Sequence, residues 1–294
     1  MRRRIFDPDI NKKVMGIVIG IDVGGSTTKI VGIDGKEIRN PMFVRATDPV
    51  TSLFGAFGKY LYDNDIPLSA IEQVMLTGVG SASINQPLYG LPTAKTDEFL
   101  ANGLGAQYMT QLDKLIVVSM GTGTSFVKVD GTKIEHIGGI GIGGGTVLGL
   151  SRLLLKTQDF HQVVTLALKG NITNINLQIK DICNIPLPGL PLDATASTFG
   201  KADANASQED VALGIIYMVL QCIGQSVILA ALNSDIHDFV LIGNLTKLPQ
   251  CKDIFPRLED MYGGCFHIPD YAEYRTAIGA ALTYINKRNY LNIS

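Results

Sequence analysis

The chain of 294 residues has no tryptophan, only four cysteines and four histidines, and little net charge, with 25 Lys and Arg against 27 Asp and Glu. Each shortage excludes something. Cys183, Cys222, Cys251 and Cys265 show no CxxC spacing, and His136, His161, His237 and His267 form no HExxH-type pair. Neither a structural zinc or iron–sulfur site nor a disulfide framework is expected, and a reducing cytoplasm is the simplest compartment. A net charge of −2 gives no electrostatic footprint for nucleic acid. The one basic cluster, Arg2-Arg3-Arg4, precedes an apolar run at Val14 to Val23, but Asp7, Pro8, Asp9, Lys12 and Lys13 intervene and Asp22 lies inside the run, so no signal peptide is expected. Charge is also missing between Asp210 and Asp235, where Val211 to Leu232 is long and apolar enough to span a membrane. Gln221, Gly224, Gln225 and Ser226 interrupt that stretch and no basic flank orients it. A helix buried between sheets or subunits is expected instead, with no membrane partner.

What is present is a globular composition, 46% hydrophobic and 18% charged, at a length that favours two domains. The organising stretch is Gly20 to Lys29. It joins two β-branched runs, Ile17 to Val23 and Thr27 to Ile33, and a third strand is expected over Glu37 to Val44, after a tight turn at Asp34-Gly35. Gly24 and Gly25 permit close approach of backbone to a ligand, and the N–H groups of such a turn suit phosphate oxygens. Ser26, Thr27 and Thr28 add hydroxyls and Lys29 a cation. Asp22 would repel phosphate unless a divalent cation stood between them, which implies Mg²⁺. The alternative is a plain hairpin with a glycine-rich turn.

Helical spacing over residues 49 to 63 and a strand over Gln73 to Gly78 turn the meander into a mixed sheet. Thr96 is the expected N-cap of a helix whose first turn holds Asp97 and Glu98. On spacing alone those acids read as partners of the helix dipole. A second hairpin of the same layout follows: strand Leu115 to Ser119, turn Gly121-Thr122-Gly123-Thr124-Ser125, strand Phe126 to Val129, then Asp130-Gly131. The repetition suggests duplicated halves facing each other across a nucleotide. Gly138 to Gly145 contains G-x-G-x-x-G without a βαβ unit around it, and reads better as a loop of donors at the N-terminus of a helix starting near Val147. Residues 157 to 182 look helical with a break at Gly170, Pro186 to Pro191 extended, Ala194 to Lys201 a loop, Phe239 to Leu245 a strand, and Tyr274 onward a helix whose small residues allow close packing.

Asp22-x-Gly24-Gly25-Ser26, Gly121-Thr122-Gly123-Thr124 and Ile242-Gly243-Asn244 resemble the two phosphate segments and the adenosine segment of the actin/Hsp70/sugar-kinase superfamily. Within it, Asp97-Glu98-Phe99, Gly121 to Ser125, Ile137 to Gly145 and Pro191 to Gly200 are similar to type II pantothenate kinases, over about Gly16 to Leu282. The resemblance implies an α/β fold of two ribonuclease-H-like, actin-like ATPase domains with mixed sheets and a nucleotide cleft between them, placed at residues 14–112 and 113–290. It also implies ATP with Mg²⁺, a homodimer, and phosphorylation of pantothenate in coenzyme A synthesis, and it leaves room for a CoA or acyl-CoA regulator. Carried over by motif, Glu98 is the base; Thr122 and Ser125 contact pantothenate. Gly24, Gly25, Ser26, Thr27, Lys29, Gly121, Thr122, Gly123, Gly144, Gly145, Gly243 and Asn244 hold the nucleotide, and Asp22 its metal. His136 stands where the family has an arginine that contacts the acceptor; histidine is shorter and cannot make a bidentate fork. The rival readings are an ATPase such as the activator of 2-hydroxyacyl-CoA dehydratases, a ROK-type sugar kinase, and a catalytically dead regulator.

Overall fold

The computed structural model describes residues 16–291 except 26, 36, 46, 47, 184, 186 and 187. It opens with β1 (Ile17–Val23), β2 (Thr27–Asp34) and β3 (Glu37–Arg45), the meander expected from the apolar runs. Asp48 caps α1 (Pro49–Asp63) by accepting the Thr51 N–H, and Pro49 occupies a first-turn position where no N–H is needed. Leu53, Ala56, Phe57 and Tyr60 form its buried face. Next come β4 (Ile71–Thr77), β5 (Thr93–Lys95) and α2 (Glu98–Thr110). The second half of the chain holds β6 (Lys114–Met120), β7 (Thr124–Asp130), β8 (Lys133–Ile140), α3 (Gly144–Leu154), α4 (Phe160–Ala167), β9 (Leu177–Gln178), α5 (Ile179–Ile182), β10 (Thr195–Ser197), α6 (Gln208–Ala231), β11 (Asp238–Ile242), α7 (Cys251–Tyr262), β12 (Cys265–His267) and α8 (Arg275–Leu291).

The two large sheets repeat one plan. The first has the order β3-β2-β1-β4-β5; the second, read from β8, is β8-β7-β6-β11-β12. In each, three antiparallel strands are followed by two that run parallel to the strand before the glycine turn. The chain separates into two compact units, Met1–Ala101 with Thr276–Ser294 and Asn102–Arg275. The division drawn from the sequence, 14–112 and 113–290, gave the last helix to the second half, whereas here α8 from Thr276 onward groups with the first unit. Gly20 accounts for that grouping: a Cβ on it would lie 1.9 Å from the Ala277 carbonyl oxygen and 3.0 Å from the Ala281 nitrogen, so β1 and α8 touch backbone to backbone.

In the second unit α6 is the core helix. Its length and hydropathy would suit a membrane span, but 61% of its apolar window is buried inside the unit. Ile216, Val219, Leu220, Ile223 and Val227 are fully buried there. Local expectations change at three places. The helical reading of 157–182 gives way to α4, a 3₁₀ turn, β9 and α5. Gly170 marks the break, because any side chain there would meet the Glu209 carbonyl at 2.3 Å as the chain presses on α6. The loop at 194–201 contains β10, which pairs with β9. β8 runs through Gly138 and Gly139, so the glycine-rich stretch is part strand and not all loop. Of the proline-rich segment 186–191, residues 186 and 187 lie outside the described residues.

Candidate active site

In the first unit the site grows from the end of β1. The antiparallel register sets Asp22 opposite Lys29, and the parallel register sets it opposite Thr77. Directly paired residues share a face of the sheet, so carboxylate, ammonium and hydroxyl converge there. Lys29 Nζ lies 3.7 Å from Asp22 Oδ2, with both side chains largely buried. Burial pushes the Asp22 carboxyl up, and Lys29 pulls against that shift. Gly78, with φ of 85°, leaves space for Asp22: a Cβ there would stand 2.6 Å from Asp22 Oδ1. Thr77 Oγ1 is buried without a hydrogen-bond partner among the described residues.

The hairpin turn itself is partly committed. Gly24 N–H donates to the Thr27 carbonyl at 2.8 Å, so it closes the turn and does not point outward. Gly25 is exposed, with nothing within 4 Å of the place a Cβ would occupy, and offers the open approach. Ser26 lies outside the described residues.

Glu98 begins α2. The cap is Asp97 and not Thr96: Asp97 Oδ1 accepts the Leu100 N–H at 2.8 Å, while Thr96 N–H bonds the Leu76 carbonyl and prolongs the strand. Burial raises the Glu98 carboxyl to about 6; Asp22 and Asp97 add to the shift and Lys29 opposes it. A carboxylate poised close to neutrality suits proton acceptance better than one near 4. Asp22, Lys29 and Glu98 are therefore electrostatic neighbours within one unit, although the sequence separates them widely.

The second unit holds the second glycine turn, between β6 and β7. Gly121 N–H donates to the Gly123 carbonyl at 2.9 Å. Gly144 N–H donates to the Gly121 carbonyl at 2.8 Å and Gly145 N–H to the Thr122 carbonyl at 2.9 Å. The two donors expected to meet phosphate at the start of α3 are thus engaged with the turn. The glycines serve approach: a Cβ on Gly143 would lie 2.7 Å from the Thr122 oxygen, and one on Gly139 2.7 Å from the Thr124 oxygen. Gly121 and Thr122 remain exposed. Gly243, with φ of 96°, follows β11 and sits against the Met120 carbonyl, where a Cβ would be 2.5 Å away; Asn244 starts the next 3₁₀ turn.

His136 is exposed on β8. The β7–β8 ladder runs Ser125↔Gly139, Phe126↔Gly138, then Val127↔His136. The shift skips Ile137 and turns His136 to the face that carries Ser125, where a regular ladder would put it on the opposite one. Sequence reasoning missed Thr77, Gly78 and the capping role of Asp97. The Thr-Gly pair at the end of a strand was the available signal for the first two.

Two sheets of one order, each led by a hairpin with a glycine and hydroxyl turn, define the actin-like ATPase and sugar-kinase class of fold. The activator of the 2-hydroxyisocaproyl-CoA dehydratase from Clostridium difficile, solved with bound ADPNP, superposes with a TM-score of 0.69 at 15% identity, covering 95% of this chain and 98% of its own. A family model described as Fumble matches residues 107–251. A type II pantothenate kinase of Staphylococcus epidermidis is 32% identical over 188 residues, 62% of this chain and 66% of its own length. One from Bacillus cereus strain AH820 is 27% identical over 302 residues, 94% of this chain and 100% of its own length. Over most of its length the chain is similar to type II pantothenate kinases.

Proposed function

We propose that this protein is an ATP-dependent kinase that phosphorylates the primary hydroxyl of pantothenate, the first step of coenzyme A synthesis. The observation that carries the reading is the cluster of Asp22, Lys29 and Glu98, which puts a carboxylate raised to about 6 beside a buried carboxylate and a buried ammonium. Phosphoryl transfer depends on positioning and charge neutralisation more than on a strong base. Glu98 accepts the proton of the acceptor hydroxyl as its oxygen bonds the γ-phosphorus and the bond from that phosphorus to the departing ADP breaks. Within the first unit, Lys29 and the open approach at Gly25 are assigned to the phosphates.

Mg²⁺ fits the residues present. Asp22 is a buried carboxylate with Lys29 as its near counter-charge, and Thr77 Oγ1 beside it in register lacks a partner among the described residues. Asp22 would hold the ion, directly or through water, and the ion would supply neutralisation of phosphate charge. Thr122, Ser125 and His136 are assigned to the acceptor. Gly243 and Asn244 are assigned to the nucleotide; Gly121, Gly123, Gly144 and Gly145 shape its turn. We also assign a homodimer, for which the exposed Leu153, Leu154, Leu168, Leu229 and Leu232 offer apolar surface, and a cytoplasmic location, consistent with four free cysteines.

The test is ADP release in the presence of pantothenate, pantetheine or a panel of sugars. Pantothenate-dependent turnover is expected. His136→Arg is expected to lower KM for pantothenate, since one hydrogen bond to a charged group contributes about 1.5–3 kcal/mol. ADP release that follows a sugar, or no acceptor at all, would replace this reading with one of its rivals.

A further inference from the structure

Cys265 and His267 are the first and last residues of β12, an edge strand, and alternate residues of a strand share a face. β12 runs parallel to β11 with Asp238 opposite Cys265. That register assembles a thiol, an imidazole and a carboxylate at one edge of the second sheet, although Cys265-x-His267 carries no metal motif in sequence. One ligand atom from each of the three lies within 4.8 Å of the others.

The internal geometry is that of a metal-binding histidine. His267 Nε2 stands 2.7 Å from Asp238 Oδ1, and its Nδ1 is 4.0 Å from Cys265 Sγ. In the tautomer that donates Nε2–H to the carboxylate, the Nδ1 lone pair faces the sulfur. A carboxylate behind the imidazole is the usual means of fixing ring orientation and tautomer at such sites. Nitrogen and sulfur bound tetrahedrally at about 2.0–2.1 and 2.3 Å stand roughly 3.6 Å apart. A small rotation of the Cys265 side chain closes the difference. Glu259 accepts the Phe266 N–H from the middle of the strand and adds a second carboxylate to the neighbourhood. Thiolate and imidazole together favour zinc-class cations over Mg²⁺ or Ca²⁺.

We infer that Cys265 Sγ and His267 Nδ1 bind a divalent transition-metal cation of the zinc class, with Asp238 holding the imidazole and water completing the shell. Binding replaces the thiol proton, which leaves to solvent as the sulfur–metal bond forms, and no electron changes hands. The site lies within the second unit and uses none of the residues assigned to phosphoryl transfer.

The experiment is a Co²⁺ titration of chelator-treated, tag-free protein in buffer without thiol reductant, followed by competition with Zn²⁺. One equivalent of Co²⁺ is expected to give a thiolate-to-metal charge-transfer band that Zn²⁺ removes. Cys265→Ser abolishes the band, while Asp238→Asn keeps it with affinity about 10–100-fold weaker. Melting curves recorded without metal establish that both variants fold, and ATP turnover at saturating Mg²⁺ is unchanged in Cys265→Ser. Absence of the band from the wild-type protein, or an equal band in Cys265→Ser, overturns the proposal.

Discussion

Replacing Glu98 by Gln tests the catalytic assignment with little disturbance of structure. The amide has the shape of the carboxyl and keeps its place as the first residue of α2, and the helix retains its own cap because Asp97 accepts the Leu100 N–H. What disappears is the ability to accept a proton. Loss of a general base slows a reaction about 10²- to 10⁴-fold, which corresponds to about 3–5 kcal/mol of activation free energy. Stability responds in the other direction. Burial and Asp22 raise the Glu98 carboxyl, so its ionised form is disfavoured in the folded protein at neutral pH, and an uncharged side chain relieves that. The expected result is a collapse of kcat with pantothenate, ATP affinity within a factor of about three of wild type by this reasoning, and a melting temperature level or higher. The assays are coupled ADP release, nucleotide binding by calorimetry, and thermal unfolding. A variant that keeps more than about a third of the wild-type rate would refute the role, since it falls far outside the range for a lost base. A lower melting temperature would make Glu98 a structural helix-start residue.

Asp22→Asn is expected to raise the Mg²⁺ concentration needed for half-maximal rate and to depress the rate, because an amide cannot offset the ion's charge; an unchanged Mg²⁺ titration speaks against the assignment. Gly20→Ala puts a methyl 1.9 Å from the Ala277 oxygen and is expected to cost at least about 1–3 kcal/mol by overpacking. Gly55→Ala, on the exposed face of α1 with nothing within 4 Å, is the control and is expected to gain about 0.5–1 kcal/mol; equal urea midpoints for the two would remove the close-contact argument. Asp210 accepts hydrogen bonds from the Asn171 N–H at 2.6 Å and Asn174 Nδ2 at 3.0 Å, which hold its carboxyl below the usual range. Asp210→Asn is expected to cost about 1.5–3 kcal/mol at pH 7. A depressed folded pKa stabilises above the ordinary carboxylate value and is lost as pH falls through the folded one, so the gap between the two proteins should narrow in urea melts near pH 3.

The parts legible in the sequence were those written in local pattern. β-branched runs flanking glycine announced both hairpins, and the 49–63 periodicity announced α1. The uncharged stretch before Asp235 announced a buried α6. The parts that were not legible depend on remote partners. β10 has three small residues that read as loop until β9 pairs with them. β5 and β12 are three-residue strands defined by the neighbours they extend. Gly138 to Gly145 looked like an anion loop because glycine frees the backbone in either case. Only the structure shows that much of that freedom lets β8 and α3 lie against the Gly121-Thr122 turn. Glu98 was readable as a base by resemblance alone, because its spacing could not reveal that Asp22 and Lys29 are its neighbours.

The backbone contact between Gly20 and Ala277 also has a meaning in time. The second unit is one uninterrupted length of chain, Asn102–Arg275, whereas the first needs its opening strands and the segment from Thr276 onward. During synthesis the strand bearing Asp22 is made early, yet the helix that covers it is made only after the whole second unit. Domains fold as units while the chain emerges, so the part of the protein that starts first is completed second. A chain cut short before Thr276 and released would hold every residue of the second unit but leave the first sheet uncovered.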